Sequence, residues 1–586
     1  MRQWMVAAKK ADFYVIAERF HVDPVVARII RNREVIGEKN IRIYLGGNLS
    51  DLSDPHQMKD MDRLVEILVQ KIRKQVRIRI IGDYDVDGVT SSHLFLTALR
   101  RVGAKVDVVI PHRIQDGYGL SLHLLQQAKE DGVDTILTCD NGIAAIDEIA
   151  WAKAQKMTVL VTDHHAVPFE EHEGRRTEKK SLADAVVNPH QQDCGYPYKE
   201  LCGAGVAWNV IRVLYENYDM DKREAEDLLD FVAMATVCDV MSLTGENRIL
   251  VKEGLKRIRH TKNIGLQALM QACNVQPENI SAYHFGYVLG PCVNATGRLD
   301  TARHALRLFE TGQETEAEEI ARDLVDLNQE RKELTLQGVE MAKKLCEEGG
   351  YENDPVLVLF LPDVHESIAG LIAGRIREMY NRPVFVLTRG EEGVKGSGRS
   401  TENYSMYENM CGCAELFTKF GGHPMAAGLS LPEENVEKFR RKINENCPLT
   451  VEEVCPDIHI DMAMPVGYAS TELVHQFALL EPFGKDNPSP LFADRNLSIS
   501  RMWLIGKNRN VLRMSVLSEY GQPVPVIFFG DVETLFAYFT EKFGQEEVEN
   551  ALHGRKNRIL FSMVYTAKID FYQGNENLQL EMKYYR

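Results

Sequence analysis

Three short apolar runs in this chain each lead straight into acidic residues. Val76–Ile81 precedes Asp83, Asp85 and Asp87; Thr135–Thr138 precedes Asp140; Thr158–Thr162 precedes Asp163, His164 and His165. Runs of this length, rich in β-branched residues, read as strands. A carboxylate just past a strand's C-terminal end lies where open α/β sheets bind ligands. Three such strands side by side gather their acids into one crevice. Carboxylates crowded together repel one another, so a cation is the expected occupant. A fourth acid, Asp239, follows the apolar stretch Leu228–Val240, which reads as a buried helix delivering it to the same cleft.

The rest of the chain supplies the frame for this crevice. Residues 1–53 read as an N-terminal helical segment. Strand and helix alternate over 54–300, with further strands at Lys105–Ile110 and Ala185–Val187 and helices at Ser121–Lys129 and Ala144–Ala154. That alternation predicts a parallel, doubly wound sheet. Residues 301–350 form a proline-free polar stretch, read as one long connecting helix that ends at Gly349-Gly350. Residues 351–450 form a second, smaller α/β block with strands Val356–Phe360 and Pro383–Leu387 and glycine-rich segments Gly393–Gly398 and Gly421–Gly428. Over 451–586 short strands dominate: Leu497–Ile505, Val511–Val516, Val524–Phe529, Ile559–Thr566 and Leu578–Tyr584, interrupted by one helix, Val532–Leu552. This pattern fits a small barrel of the oligonucleotide-binding type.

Composition narrows the setting. The 586 residues carry a formal charge of −16, which argues against coating nucleic acid through bulk charge and leaves local recognition open. Basic residues cluster at Arg28–Arg33 and Lys71–Arg79. The 11 cysteines have no framework spacing, so reduced thiols in a cytoplasm are expected. No uncharged apolar stretch is long enough for a membrane span, and Met1–Lys10 lacks the apolar core of a signal peptide.

Asp85 and Asp87 are read as two carboxylates in a loop, with Gly88 turning the backbone into a helix near Val89-Thr90-Ser91. Asp140 and Asp239 can each bridge two ions, and His164 adds a nitrogen. Carboxylates with one imidazole suit Mn²⁺ or Mg²⁺. Two such ions activate a water and clamp a phosphoryl oxygen, which points to phosphate-ester hydrolysis. Each residue alone has a plainer reading. An Asp after a strand is more often a helix cap, above all Asp83 and Asp163, and a single His165 is more often structural. Cys139 and Cys238 read as small buried residues. The joint occurrence of four clusters favours the metal site.

On these residues the chain resembles the DHH phosphoesterase superfamily, and within it the RecJ-like single-strand-specific exonucleases. The superfamily motifs stand here as Gly82–Gly88, Cys139–Gly142, Asp163-His164-His165 and Cys238-Asp239. RecJ-like additions are Pro111-His112-Arg113, Gly117-Tyr118-Gly119, Asn188-Pro189, Cys202–Ala207 and Pro291–Arg298. The second block carries Gly396–Ser400 and Gly421–Gly428 of a DHH-associated domain.

The resemblance implies that Asp85, Asp87, Asp140, His164 and Asp239 are metal ligands. Asp83 would be a ligand or near neighbour, and His165 would touch the scissile phosphate. It implies hydrolysis from a 5′ end to 5′-mononucleotides, with helicase and single-strand-binding partners. Arg399 and Ser397, assisted by Arg113, are the expected grip on the terminal phosphate. Asn294, Arg298, His365, Gly422 and His423 are further expected substrate contacts. The plain reading of Gly421–Gly428 is a tight turn into a helix. In the third domain, Lys507, Arg509 and Arg513 with Trp503, Phe528 or Phe529 would line a strand-tracking groove.

Two departures stand out. Ile81 occupies a position where related phosphatases carry a histidine, so that metal site leans on carboxylates. Ser367 replaces a glycine of the RecJ-like pattern in His365–Gly370. Two rivals remain at this point. One is a phosphodiesterase of the same superfamily acting on short oligonucleotides, cyclic dinucleotides or pyrophosphate, though such enzymes usually lack the third domain. The other is a non-catalytic single-strand-binding replication scaffold, though such relatives lose ligands and this chain keeps every one.

Overall fold

The five apolar runs form one wholly parallel sheet in the order Lys105–Val109, Arg77–Ile81, Thr135–Cys139, Thr158–Thr162, Ala185–Val187. The order reverses between Arg77–Ile81 and Thr135–Cys139. Connections there leave toward opposite sides and open a crevice at the strands' carboxyl ends. The computed structural model describes residues 3–113, 116, 119–172, 175–351, 353–390, 393–506, 510–572 and 574–586. The chain divides into two compact units: residues 52–241 with 249–456, and residues 3–51 with 242–248 and 457–586. No described helix is long and apolar enough to cross a membrane.

In the first unit, helix Val86–Arg101 is buried along nearly its whole length and packs on helices Gly203–Glu216 and Leu229–Cys238. The connecting stretch is two helices, Arg303–Glu310 and Glu314–Glu348, where one was expected. Thr311 takes an extended backbone and Gly312 follows it, which stops the first helix. The second, 35 residues long, is a spine shared by both α/β blocks: Asn328 Nδ2 donates to Cys292 Sγ at 3.3 Å, and farther along Gly338 lies against Ile372.

The second block has a mixed sheet in the order Lys419–His423, Ala426–Leu431, Gly393–Arg399, Val384–Gly390, Leu357–Phe360. Both glycine-rich segments are strands. Gly421–Gly428 is an antiparallel hairpin, not a turn into a helix, because the Gly421↔Gly428 ladder gives its backbone groups partners.

The second unit is a closed barrel in which Phe492–Ile505 pairs with both Val511–Leu517 and Leu560–Tyr572. Pro523–Phe528 and Asn575–Tyr585 complete the circuit through a parallel pairing. The expected single helix is two, Val532–Phe543 and Gln545–Leu552, divided by Gly544 at φ 95°. A left-handed residue ends an α-helix. The N-terminal segment is not purely helical: Trp4–Val6 forms a strand beside Ile458–Ile460, followed by helices Phe13–Phe20, Pro24–Asn32 and Glu38–Gly46. Residues 242–248 join this unit through Arg248, which is buried. It donates to the carbonyls of Tyr44, Leu479 and Leu480 at 2.8–2.9 Å.

The basic clusters are largely spent on internal ion pairs. Arg33 pairs with Asp461, Lys71 with Asp134, and buried Arg79 with Asp107 and Asp131.

Candidate metal centre and adjoining cavity

Asp85 caps the Val86–Arg101 helix rather than lying in a free loop: its Oδ1 accepts from the amides of Asp87 at 2.9 Å and Gly88 at 3.1 Å. The helix thus begins three residues earlier than the sequence suggested, because the Asp85 carboxylate satisfies the first amides. Asp87 then falls in its first turn. The Asp87 carboxylate is held from the other side by the amides of Gly203 and Ala204, at 2.6 and 2.8 Å, which open the Gly203–Glu216 helix. Asp140 follows its strand with φ 60°, and Asn141 Nδ2 donates to the carbonyls of Ile81 and Cys139 at 3.0 and 2.9 Å, tying the two switch-point strands together. Asp239 is the C-cap of Leu229–Cys238, as the buried-helix reading required.

These side chains converge. His164 Nε2 lies 3.1 Å from Asp140 Oδ1 and 3.6 Å from both Asp87 Oδ2 and Asp239 Oδ2. Potential ligand atoms of Asp87, His164 and Asp239 fall within 4.8 Å of one another, as do those of Asp83, Asp85 and Asp140, and of Asp140, His164 and His165. The first two sets are separate and each is complete enough to hold a divalent ion. The second contains only carboxylates, in line with Ile81 at the departed position.

The electrostatics demand positive charge. Burial, then repulsion from Asp87, Asp85, Asp83 and Asp239, pushes the Asp140 carboxyl well above the usual range. Asp83 rises for the same reasons, burial and then Asp85. Asp85 rises through burial and Asp87, partly offset by its cap hydrogen bonds. Burial lowers His164, leaving a neutral imidazole suited to ligation. Among the described residues, buried Asp83 Oδ1 and His164 Nε2 have no hydrogen-bond partner. Buried polar atoms of this kind are normally satisfied, so the residues present fit a pair of divalent cations.

Asp163 does different work. Its Oδ1 accepts from the His164 amide at 2.7 Å, the His165 amide at 3.1 Å and His165 Nδ1 at 2.7 Å, and its Oδ2 from the Ile143 amide at 2.9 Å. It fixes the backbone at both histidines, orients the His165 ring and ties them to the turn after Asp140. Burial opposes charge on His165, but the hydrogen bond and charge of Asp163, with Asp239 and Asp87, raise it to about 9. Cys139 is a small buried residue, as expected, with burial holding its thiol up at about 12.

Beside the cluster lies a cavity of about 520 Å³ lined from both α/β blocks. Among the described residues, Arg113, Arg298, Lys395, Arg399 and Lys419 contribute five cations to the lining, against one carboxylate, Glu366, which pairs with Lys395 at 2.8 Å. Arg113 lies over the Tyr84 ring at 4.9 Å. Arg298 Nη1 donates to Ser367 O at 2.6 Å; burial and then the neighbouring arginines Arg113, Arg331 and Arg399 lower it to about 10. Arg399 Nη1 donates to Gly398 O at 2.7 Å and Ser397 Oγ at 3.2 Å. A methyl group on Gly370 would lie 2.8 Å from Arg399 Nη2, so this glycine admits the guanidinium.

Cross-strand register explains the cavity floor. Lys395, Ser430 and Lys419 form one row; Ser397, Gly428 and Gly421 form the next, with almost no side-chain bulk; Arg399, Ala426 and His423 form the third. Of the expected substrate contacts, Arg113, Arg298, Ser397 and Arg399 line the cavity. Asn294, His365, Gly422 and His423 stand outside its lining. Asn294 Oδ1 instead accepts from the Val86 amide at 3.1 Å, bracing the Asp85–Asp87 turn. His365 caps the Glu366–Tyr380 helix, with Nδ1 2.7 Å from Ser367 Oγ, and Ser367 supplies the carbonyl that holds Arg298. Gly422 and His423 lie on the exposed end of the hairpin. In the barrel, Phe528 is core and packs on Tyr585, which removes it from a groove. Phe529 is exposed, and the Arg501 and Arg513 guanidiniums lie over the Trp503 ring at 5.7 and 6.0 Å. Lys507, Arg509, Gly117 and Tyr118 lie outside the described residues.

Lys395 and Lys419 were missed from sequence. The signal was present for the first: Lys395, Ser397 and Arg399 alternate, and a period of two puts them on one face of a strand. The Gly203–Ala204 amide pair lies within the Cys202–Ala207 motif, but nothing local tied it to Asp87, which is remote in sequence.

Parallel sheet, switch-point carboxylates and the following histidine pair define a metal-dependent phosphoesterase of the DHH class. The DHH family N-terminal domain model matches residues 77–236, the DHHA1 domain model 353–447 and the RecJ OB domain model 460–584. The chain is 32% identical over 582 residues to the single-stranded-DNA-specific exonuclease RecJ of Haemophilus influenzae, covering 96% of each chain. It is 33% identical over 511 residues to RecJ of Bacillus subtilis, covering 86% of this chain and 63% of that longer relative. The crystal structure of Thermus thermophilus RecJ in complex with Mn²⁺ matches with a TM-score of 0.81 at 25% identity, covering 100% of this chain and 79% of the other. The Mg²⁺ complex of that protein matches at 0.75 with 24% identity, covering 100% and 78%. The chain belongs to the RecJ family of single-stranded-DNA-specific exonucleases.

Proposed function

We propose that this protein hydrolyses single-stranded DNA from its 5′ end to 5′-mononucleotides, in DNA recombination and repair. The observation that carries this is the adjacency of two features in one unit. One is a cluster of five buried or partly buried aspartates around His164; the other is a cavity whose described lining carries five cations and one carboxylate. Two ions, Mn²⁺ or Mg²⁺, held by Asp85, Asp87, Asp140, His164 and Asp239 with Asp83 adjoining, would supply Lewis acidity and a nucleophilic water at neutral pH. The chain's own residues do the rest. Arg399, Arg298 and Arg113 bind the terminal phosphate, with Ser397 beside them. Charge-assisted bonds of this kind are strong and directional. Asp163 holds His165 through its Nδ1, leaving Nε2 to meet the phosphate being cleaved.

The third domain and relatives matched over nearly their whole length support a polymeric substrate over cyclic dinucleotides or very short oligonucleotides. The complete ligand set supports an active enzyme over a scaffold. A cytoplasmic setting, with a helicase and a single-strand-binding protein supplying and clearing the strand, completes the proposal. The test is a 3′-labelled single strand, with and without a 5′ phosphate, in Mn²⁺, Mg²⁺ and EDTA. A ladder shortening from the 5′ end, absent in EDTA, is the expected result. Intact strand in every metal would overturn the reading.

A further inference from the structure

We propose that Tyr283 and Tyr287 form a base-stacking platform for the single-stranded substrate, a role resting on the exonuclease reading and extending it to how the strand is held. The two rings stack on each other with centroids 5.1 Å apart and planes at 24°, yet the residues are 62% and 72% exposed. Single exposed aromatics are ordinary, but a stacked, solvent-facing pair is a flat surface already ordered before anything binds.

Its placement points to the strand. Tyr287 belongs to a π-helical turn, Phe285–Leu289, a form that concentrates at functional sites. That turn is fastened to the helix delivering Asp239: Cys238 Sγ donates to Phe285 O at 3.3 Å, and Gly286 faces Val237. Val240, directly after Asp239, is 63% exposed at φ 54°, a strained conformation for a β-branched residue. Downstream of the turn, the same chain becomes the Gly290–Leu299 helix, whose Asn294 braces the Asp85–Asp87 turn and whose Arg298 lines the phosphate cavity. One continuous segment, 283–298, therefore links the tyrosines to both halves of the site. Every base has a π-face, so stacking suits an enzyme that must accept any sequence.

The test uses the full-length protein in EDTA and fluorescence anisotropy with a twelve-nucleotide single strand and an abasic strand of the same length. Tyr283→Ala/Tyr287→Ala and Tyr283→Leu/Tyr287→Leu should each weaken binding of the normal strand by about tenfold. Both should bind the abasic strand as the wild type does. Tyr283→Phe/Tyr287→Phe, which keeps the rings, should restore binding. Binding within twofold of wild type by the Ala and Leu variants, or equal loss on both strands, would overturn the platform. Cleavage by wild type, measured in parallel with Mn²⁺, separates this from the parent reading: a wild type that cuts while the variants bind normally sinks only the platform.

Discussion

Gly203 donates its backbone N–H to Asp87 across 116 residues of sequence, at 2.6 Å, and has no room for a side chain. A methyl group there would lie 2.6 Å from the Asp140 Cβ. Gly203→Ala should therefore displace two cluster carboxylates at once. The expected cost is about 10–100-fold in metal affinity, the usual range for residues supporting a ligand. Calorimetric titration with Mn²⁺ checks it; unchanged affinity would show that the cluster tolerates the displacement.

Asp140 belongs to two of the ligand groups and touches His164. Asp140→Asn keeps its size and removes its charge. Cleavage should fall below detection while single strands bind with the wild-type affinity. Cleavage with native metal dependence would remove Asp140 from the ligand set.

Arg399→Ala removes one of the cavity's lining cations without touching the metal cluster. The preference in kcat/KM for 5′-phosphorylated over 5′-hydroxyl strands should drop by about 10–100-fold, as expected for losing a charged hydrogen bond of roughly 1.5–3 kcal/mol. Equal losses on both strands would assign Arg399 a different task.

Metal removal should destabilise the first unit. Without cations the buried acids repel one another, and burial adds to the cost of their charge. Adding Mn²⁺ to EDTA-stripped, dialysed protein at a hundredfold excess over its Kd should recover about 2.7 kcal/mol, seen as a higher Tm. No shift with Mn²⁺ or Mg²⁺ would leave the cluster without its ions.

Asp230 offers a pH test away from the metals. Burial raises it to about 6, despite the hydrogen bond from Thr261 Oγ1 at 2.6 Å. The folded state thus holds this proton more tightly than the unfolded chain, whose aspartates titrate near 3.9. Its stability contribution is fully present below about pH 4 and is lost as pH rises toward 6. Relative to Asp230→Asn, the wild type should lose on the order of 2–3 kcal/mol across that window. Parallel Tm-against-pH curves for the two proteins would contradict it.

Much of the metal centre could be read in the sequence because its parts are local. Each acid stands at a fixed offset from an apolar run, and the strands Arg77–Ile81, Thr135–Cys139 and Thr158–Thr162 fall within a residue of their predicted limits. The misplaced helix start near Asp85 and the undivided helices at Thr311 and Gly544 have a common origin. Hydrophobic periodicity marks where a helix packs, whereas a cap or a left-handed residue decides where it ends. The Gly421–Gly428 hairpin was hidden for another reason: glycines carry no side chain to alternate, so only the cross-strand register identifies them as strands.

The sequence by itself determined the parallel sheet and the succession of two α/β blocks and a barrel, and it offered the candidate donors, since strand periodicity and polar side chains at strand ends are written along the chain. Tertiary structure alone decided which of those donors meet. It brought the Gly203–Ala204 amides to Asp87, set Lys419 in one row with Lys395, placed Asn294 and His365 as braces rather than cavity contacts, and stacked Tyr283 on Tyr287 in solvent. Each of these depends on backbone groups or side chains brought together by register and helix packing, and contacts between distant segments leave no period in the sequence to read.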